Sequence, residues 1–155
     1  DKTRASIVGA RFGGYAALAG VAFAPERWRC AVAIAPLSDL QLWYVSLTKG
    51  RESTAWTAAF FNDRIADTSG DALAAISPAK AAAAIKAPVL LIHGEDDSVV
   101  PIIQSRGMER AVKSAGGRAS YIALKDEDHW LSRPATRLQL LESLIAFLTT
   151  ESPPG

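Results

Sequence analysis

The chain has 155 residues, 49% of them hydrophobic, and a formal net charge of +1. Its length is that of about one globular domain. The charges are spread without a basic patch, which argues against nucleic acid or an anionic membrane as a partner, and no apolar run approaches the ~20 residues of a membrane span.

One cysteine, Cys30, is present, so no internal disulfide can form, and its apolar surroundings predict a buried, inert thiol. The sequence begins at Asp1 and contains nothing that resembles a signal peptide. We therefore expect a piece of a longer protein, whose localisation these residues leave open.

Apolar runs bounded by glycine, proline and polar residues predict four strands. They cover residues 4–9, 30–35, 88–93 and 118–124. Helical spacing predicts helices over residues 13–23, 40–47, 53–61, 101–115 and 134–149, and a short alanine-rich helix beginning at Ser77-Pro78. The alternation of strand and helix predicts a parallel α/β fold with helices on both faces of the sheet.

A glycine-rich turn follows the first predicted strand, where Gly9-Ala10-Arg11-Phe12-Gly13 has the layout of a nucleophile elbow. That elbow, G-x-S-x-G, is a sharp strand-to-helix turn whose middle residue is a nucleophilic serine. We expect Gly9 and Gly13 to lie where a Cβ atom would clash. The middle position here is Arg11, and an always-charged guanidinium cannot accept an acyl group.

Two further polar residues follow predicted strands. Asp97 lies in the loop after the third strand and His129 in the loop after the fourth. The order of elbow, acid and histidine is that of α/β-hydrolases, and the carboxyl ends of parallel strands share one edge of the sheet. A salt bridge between loops is the simpler interpretation of this pair, and Asp96 is the alternative acid.

Other side chains have simpler interpretations. His93 ends a strand and is expected to be structural, and Asp39 is expected to cap the helix after it. Trp130 is equally suited to lining a pocket or covering its loop. The remaining tryptophans are expected to serve in packing: Trp28, Trp43 and Trp56.

Taken together, these phrases resemble the C-terminal half of the catalytic domain of the prolyl oligopeptidase family of serine peptidases. The matching phrases are Gly9-x-Arg11-x-Gly13-Gly14-Tyr15, Ala35-Pro36-x-x-Asp39, Ser77-Pro78, Pro88-Val89-Leu90-Leu91-Ile92-His93-Gly94-x-x-Asp97-x-x-Val100-Pro101-x-x-Gln104-Ser105 and Asp128-His129. The resemblance implies an α/β-hydrolase fold, mostly parallel, whose N-terminal strands are missing. Residues 1–150 would form the C-terminal part of the catalytic domain, and residues 151–155 a flexible tail.

The resemblance also implies roles for individual residues. Asp97 would orient His129, His129 would be the general base, and the backbone N–H of Phe12 would be an oxyanion donor. Peptide or ester bonds would be cleaved by acyl transfer to a serine, with no metal or cofactor. The family's second oxyanion donor and its gating β-propeller lie upstream of these residues, and Arg11 replaces the serine, so we expect an inactive protein.

Arg11 leaves three alternatives open. It is a natural loss of the nucleophile, an engineered or erroneous substitution in an active lineage, or an anion-binding group. The last would make the chain a non-catalytic binding module on a hydrolase fold. The resemblance also implies that strand 4–9 lacks its outer neighbour, and we expect this strand to pair with a missing N-terminal segment or with a second copy of the chain.

Overall fold

The computed structural model describes residues 5–49, 55–65 and 67–153. Four parallel strands form one sheet in the order β1-β2-β3-β4. They are β1 Ser6–Ala10, β2 Cys30–Ile34, β3 Val89–Gly94 and β4 Ala119–Leu124. Each strand lies within about a residue or two of its predicted range, and the predicted parallel α/β fold is confirmed.

Six α-helices are present in the described part of the chain. They are α1 Phe12–Phe23, α2 Leu40–Lys49, α3 Ala55–Arg64, α4 Gly70–Ala75, α5 Ile103–Ser114 and α6 Pro134–Glu151. The predicted start of a helix at Ser53 lies outside the described residues. None of these helices is long and apolar enough to cross a bilayer.

The short helix predicted at Ser77-Pro78 is present as a 3-10 helix, Pro78–Ala84. Two predicted helix boundaries need correction. Helix α3 ends at Arg64, three residues after the predicted end at Phe61. Helix α5 begins at Ile103, two residues after the predicted start at Pro101. The C-terminal helix continues to Glu151, whose carboxylate accepts hydrogen bonds from the guanidinium of Arg118 at 3.0 and 3.1 Å.

The sheet carries a hydrophobic core on each face, as expected for parallel strands buried between helices. One core lies between the sheet, α1, α5 and the 3-10 helix, and includes Leu18, Val21, Ala31, Leu91, Met108 and Val112. The other lies under α6 and includes Val32, Leu90, Ile92, Leu124 and Leu140. Cys30 is buried in β2, as its apolar run predicts.

Strands β1 and β3 differ in burial because of their positions in the sheet. Every residue of β3, which has a neighbour on each side, is buried. Strand β1 is the edge of the described sheet, and Val8 at its centre is 45% exposed. The carboxyl ends of all four strands meet at one edge, where the loops after β1, β3 and β4 come together.

Candidate active site

The turn after β1 has the backbone geometry of a nucleophile elbow. Arg11 has φ 57° and ψ −118°, a combination that residues with a Cβ rarely adopt. Its N–H donates to the carbonyl of Ile34 at 2.8 Å, and its own carbonyl accepts from Tyr15 at 3.0 Å. Sheet and helix thus fix the turn from both sides, and the Arg11 side chain is projected above the end of the sheet.

Gly9 is required for this turn because helix α1 passes directly over it. A Cβ atom on Gly9 would lie 2.0 Å from the carbonyl oxygen of Gly13. The expectation for Gly13 itself is wrong, since a Cβ atom there would meet nothing within 4 Å. The carbonyl group of Gly13 is the backbone that passes close to Gly9, so Gly9 is the residue that must have no side chain.

Asp97 is held by the loop after β3. Its Oδ1 accepts hydrogen bonds from the N–H groups of Val99 and Val100 at 2.9 and 2.8 Å. Its Oδ2 lies 2.8 Å from Nδ1 of His129. The carboxylate side chain is fully buried, so both oxygens depend on these protein donors for hydrogen bonds. Asp97, and not Asp96, is the acid that contacts the histidine.

The loop after β4 carries His129, which is 6% exposed. Close approach of this loop to β3 depends on Gly94, where a Cβ atom would lie 2.4 Å from the carbonyl oxygen of Glu127. Within the loop, Asp128 accepts hydrogen bonds from the Ser132 hydroxyl and from the N–H of Trp130. The Ser132 hydrogen bond, with smaller backbone contributions, holds the pKa of Asp128 below its usual value.

Glu127 anchors the same loop from inside the protein. It is fully buried, and its carboxylate accepts hydrogen bonds from the N–H groups of Asp128 and Arg133 and from the Thr136 hydroxyl. These donors connect the histidine loop to the first turn of α6. The sequence analysis missed this residue, because three consecutive acids, 126–128, give no sign of which one points inward.

Arg11 contacts the histidine directly. Its Nε–H donates to Nε2 of His129 at 2.9 Å, and Nη2 donates to the carbonyl of His129 at 3.1 Å. The guanidinium carbon also lies 5.1 Å from the centroid of the Trp130 ring, within cation–π range. Because arginine can only donate, this arrangement fits the neutral imidazole tautomer in which Nδ1 carries the proton and donates it to Asp97.

Phe12 occupies the first position of α1, where the backbone N–H has no partner within the helix. Its ring is 75% exposed and borders an apolar cavity of about 560 Å³. Trp43 lines this cavity and packs edge-on against Phe61. Packing was the only role expected for Trp43, and the cavity itself was not foreseen, because the helices between β2 and β3 build it.

The other singled-out residues lie as follows. Asp39 accepts a hydrogen bond from the N–H of Leu42 at 3.0 Å, which fits its expected capping position. Trp28 packs against the α1 core, whereas Trp56 is 71% exposed and stacks on Phe60. The described residues contain no group of three or more side chains arranged to hold a metal ion.

Comparison with known proteins decides the family. The model of the prolyl oligopeptidase family matches residues 1–152. The chain belongs to the prolyl oligopeptidase family. Its relatives include the dipeptidyl aminopeptidase BIII of Pseudoxanthomonas mexicana, which is 30% identical over 136 residues, or 83% of this chain and 19% of the relative.

Solved structures agree on the fold. The acylaminoacyl peptidase of Pyrococcus horikoshii superposes with a TM-score of 0.80 at 21% identity, over 100% of this chain and 25% of its own. A puromycin-hydrolyzing peptidase of Mycobacterium tuberculosis gives 0.84 at 24% identity, over 98% of this chain and 22% of its own. The chain thus has an α/β-hydrolase fold of the serine-peptidase type and spans at most about a quarter of the length of these relatives.

Proposed function

We propose that this chain carries the acid–base pair of a serine-peptidase-type hydrolase, Asp97 and His129, in a site that does not hydrolyse because Arg11 stands in place of the nucleophile. The observation that carries the proposal is the hydrogen bond from Nε of Arg11 to Nε2 of His129. In a serine hydrolase, this imidazole nitrogen takes the proton of the nucleophile. Here it accepts from a guanidinium, which does not give up its proton at any ordinary pH.

The chemistry of the nucleophile supports the same conclusion. Removing the nucleophile from a serine-hydrolase triad typically lowers the rate about 10⁶-fold. Arg11 supplies neither a hydroxyl nor a thiol, and its side chain fills the space above His129. The remaining elements fit a peptide or small ester ligand: Phe12 offers a backbone N–H, and the adjoining cavity is apolar.

A fluorophosphonate probe tests the proposal, because it phosphonylates an activated serine and the adduct is detected by intact mass. We expect no adduct on the folded parent chain, one adduct on Arg11→Ser, and none on the matched control Arg11→Ala. A single adduct on the parent would show that another serine is activated and would overturn the proposal.

A second function, binding of an anionic ligand at Arg11, is favoured by one observation. Nε and Nη2 of Arg11 bind His129, whereas no hydrogen bond in the described structure involves Nη1. A carboxylate or phosphate that binds Nη1 in the folded chain would stabilise that chain, and the stabilisation would grow with the logarithm of the ligand concentration above the dissociation constant. We expect acetate or phosphate to raise the melting temperature of the parent and not that of Arg11→Ala. No rise in the parent would exclude this function.

The exposed edge of strand β1 suggests that a further strand pairs with this sheet. Strand β1 is the edge strand of the described sheet and carries the half-exposed Val8, and an exposed apolar edge favours pairing with a further strand. We propose that the strand comes from a preceding segment of the protein or from a second copy. Monomeric mass in solution for the 155-residue chain, with no bound partner, would contradict this pairing.

A further inference from the structure

A second histidine, His93, is buried against the acid of the acid–base pair, Asp97. His93 is the fifth residue of β3, and its ring is 0% exposed. Its Nε2 lies 3.0 Å from the carbonyl oxygen of Val100 and 3.3 Å from Oδ2 of Asp97. Its Nδ1 lies 2.8 Å from the hydroxyl oxygen of Ser105, which is also fully buried.

These neighbours determine where the ring proton of His93 lies. Nε2 faces a carbonyl and a carboxylate oxygen, which accept hydrogen bonds and cannot donate them once the carboxylate is ionised. Nε2 must therefore carry the hydrogen, and Nδ1 must accept from the Ser105 hydroxyl. Burial lowers the pKa of His93, against smaller opposing effects of Val100 and Asp97, which favours the neutral ring.

We propose that His93 is a positioning residue for the acid–base pair, whose Nε2–H holds Oδ2 of Asp97 in place for His129 while Ser105 fixes the tautomer of His93. The proposal rests on the proposed roles of Asp97 and His129. It adds a chain of polar contacts that runs from Ser105 on α5 through His93 on β3 to Asp97, His129 and Arg11. Within it, the Nε2–H of His93 is shared between the carbonyl oxygen of Val100 at 3.0 Å and Oδ2 of Asp97 at 3.3 Å.

The hydrogen bonds of the carboxylate explain why this residue matters. Val99 and Val100 satisfy Oδ1, and His129 satisfies one lone pair of Oδ2. His93 lies against the same Oδ2 in a site without solvent, where an unsatisfied carboxylate oxygen is unfavourable. A neutral imidazole restrains the carboxylate without cancelling its charge, whereas a lysine or arginine at this position would compete with His129 for that charge.

A purely structural role is the competing explanation, since His93 also connects β3 to Ser105 on α5. The two explanations differ in what a substitution does to His129. A structural role predicts a lower melting temperature and an unchanged His129 ring. A positioning role predicts that the Nδ1–H of His129 loses its fixed acceptor, whatever happens to the melting temperature.

The chain has two histidines, so ¹⁵N-histidine NMR observes these two rings alone. In the parent we expect His93 as the Nε2–H tautomer and His129 as the Nδ1–H tautomer with a slowly exchanging ring proton. In His93→Phe, which keeps a flat ring and removes the donor, we expect that His129 proton resonance to be lost. His93→Gln, whose amide N–H can reach Oδ2, should restore it, and Ser105→Ala should release the His93 tautomer.

Each outcome is decisive. An Nδ1–H tautomer for His93 in the parent overturns the inference without any variant having to fold. A retained His129 resonance in folded His93→Phe overturns it as well and leaves the proposed function intact. If His129 in the parent is not the Nδ1–H tautomer, the acid–base pair itself is wrong. If His93→Phe does not fold, Ser105→Ala takes its place: a positioning role predicts that release of the His93 tautomer weakens the His129 ring-proton resonance, and an unchanged His129 resonance overturns the inference.

Discussion

The Nε–H of Arg11 lies 2.9 Å from Nε2 of His129 and donates to it. On its other side, the same imidazole has Nδ1 at 2.8 Å from Oδ2 of Asp97. Both ring nitrogens are therefore engaged, one by a carboxylate and the other by a permanent donor. The donor at Nε2 is a guanidinium, which keeps its proton at ordinary pH, so another group must displace Arg11 before it can reach the lone pair of Nε2.

This contact predicts how fast His129 reacts with diethyl pyrocarbonate, which acylates an unprotonated imidazole nitrogen. We expect Arg11→Ala to react at least about tenfold faster than the parent, because a hydrogen bond from a charged donor is worth about 1.5–3 kcal/mol and about 1.4 kcal/mol is a factor of ten. The increase in absorbance of the acylated imidazole measures the rate. His93 is fully buried and contributes little.

Arg11→Met is the matched control for this experiment, because it keeps an unbranched apolar chain of similar reach and removes every donor. If the hydrogen bond protects Nε2, Arg11→Met should react about as fast as Arg11→Ala. Protection in Arg11→Met equal to that of the parent would show that bulk alone shields the histidine.

The sequence predicted which loops meet at one edge of the sheet, because a parallel α/β topology allows few arrangements of the strands. Once β1, β3 and β4 are parallel strands of one sheet, the loops that carry Arg11, Asp97 and His129 must open at one end. Their catalytic roles remain predictions. The direct contact of Arg11 with His129 could not be predicted, because a long side chain has many rotamers and its choice depends on the opposite loop.

The features that the sequence analysis missed depend on three-dimensional contacts. Gly9 and Gly13 look equivalent in the motif, but only the first points its missing Cβ atom at the crossing backbone. Glu127 and the apolar cavity near Trp43 depend on contacts between distant segments. Neither α6 nor the helices between β2 and β3 can be placed against the site by periodicity alone.

The two glycines of the elbow predict stability changes of opposite sign. Gly9→Ala places a Cβ atom 2.0 Å from the Gly13 carbonyl oxygen, and we expect it to lower the free energy of unfolding by about 3 kcal/mol, as overpacking does. Gly13→Ala meets no atom within 4 Å and lies in the first turn of α1, where we expect a gain of about 0.5 kcal/mol. Urea denaturation measures both, and equal effects of the two substitutions would contradict the close approach at Gly9.

The pH dependence of stability should report the burial of neutral His93. Its pKa in the folded chain is lowered from 6.5 by desolvation, so between the folded and unfolded pKa values the unfolded chain binds more protons. The free energy of unfolding should therefore fall as the pH drops below about 6.5 and continue to fall until the folded pKa is reached. Denaturant titrations at a series of pH values measure this slope.

His93→Gln is the control for the pH dependence, because it keeps a donor toward Asp97 and removes the titrating group. Its stability should vary less with pH between about 6.5 and 5 than that of the parent. An identical slope in the two proteins would assign the acid sensitivity to other groups and would contradict a neutral, buried His93.

Arg11→Ser should create a weak esterase rather than an efficient peptidase. A serine at this elbow would place its hydroxyl at the position from which Arg11 now reaches Nε2 of His129, and the N–H of Phe12 would face the developing oxyanion. From the family resemblance we expect the second oxyanion donor to lie outside these 155 residues, and the loss of one such donor lowers the rate roughly 10²–10³-fold. We expect slow hydrolysis of an activated nitrophenyl ester and no detectable cleavage of a peptide amide.

The double variant Arg11→Ser/His129→Gln is the control, and it should lose the ester activity because the general base has been removed. Equal ester activity in the single and double variants would show that His129 does not act as the base, and efficient amide cleavage by Arg11→Ser would show that the described residues already supply a complete oxyanion site.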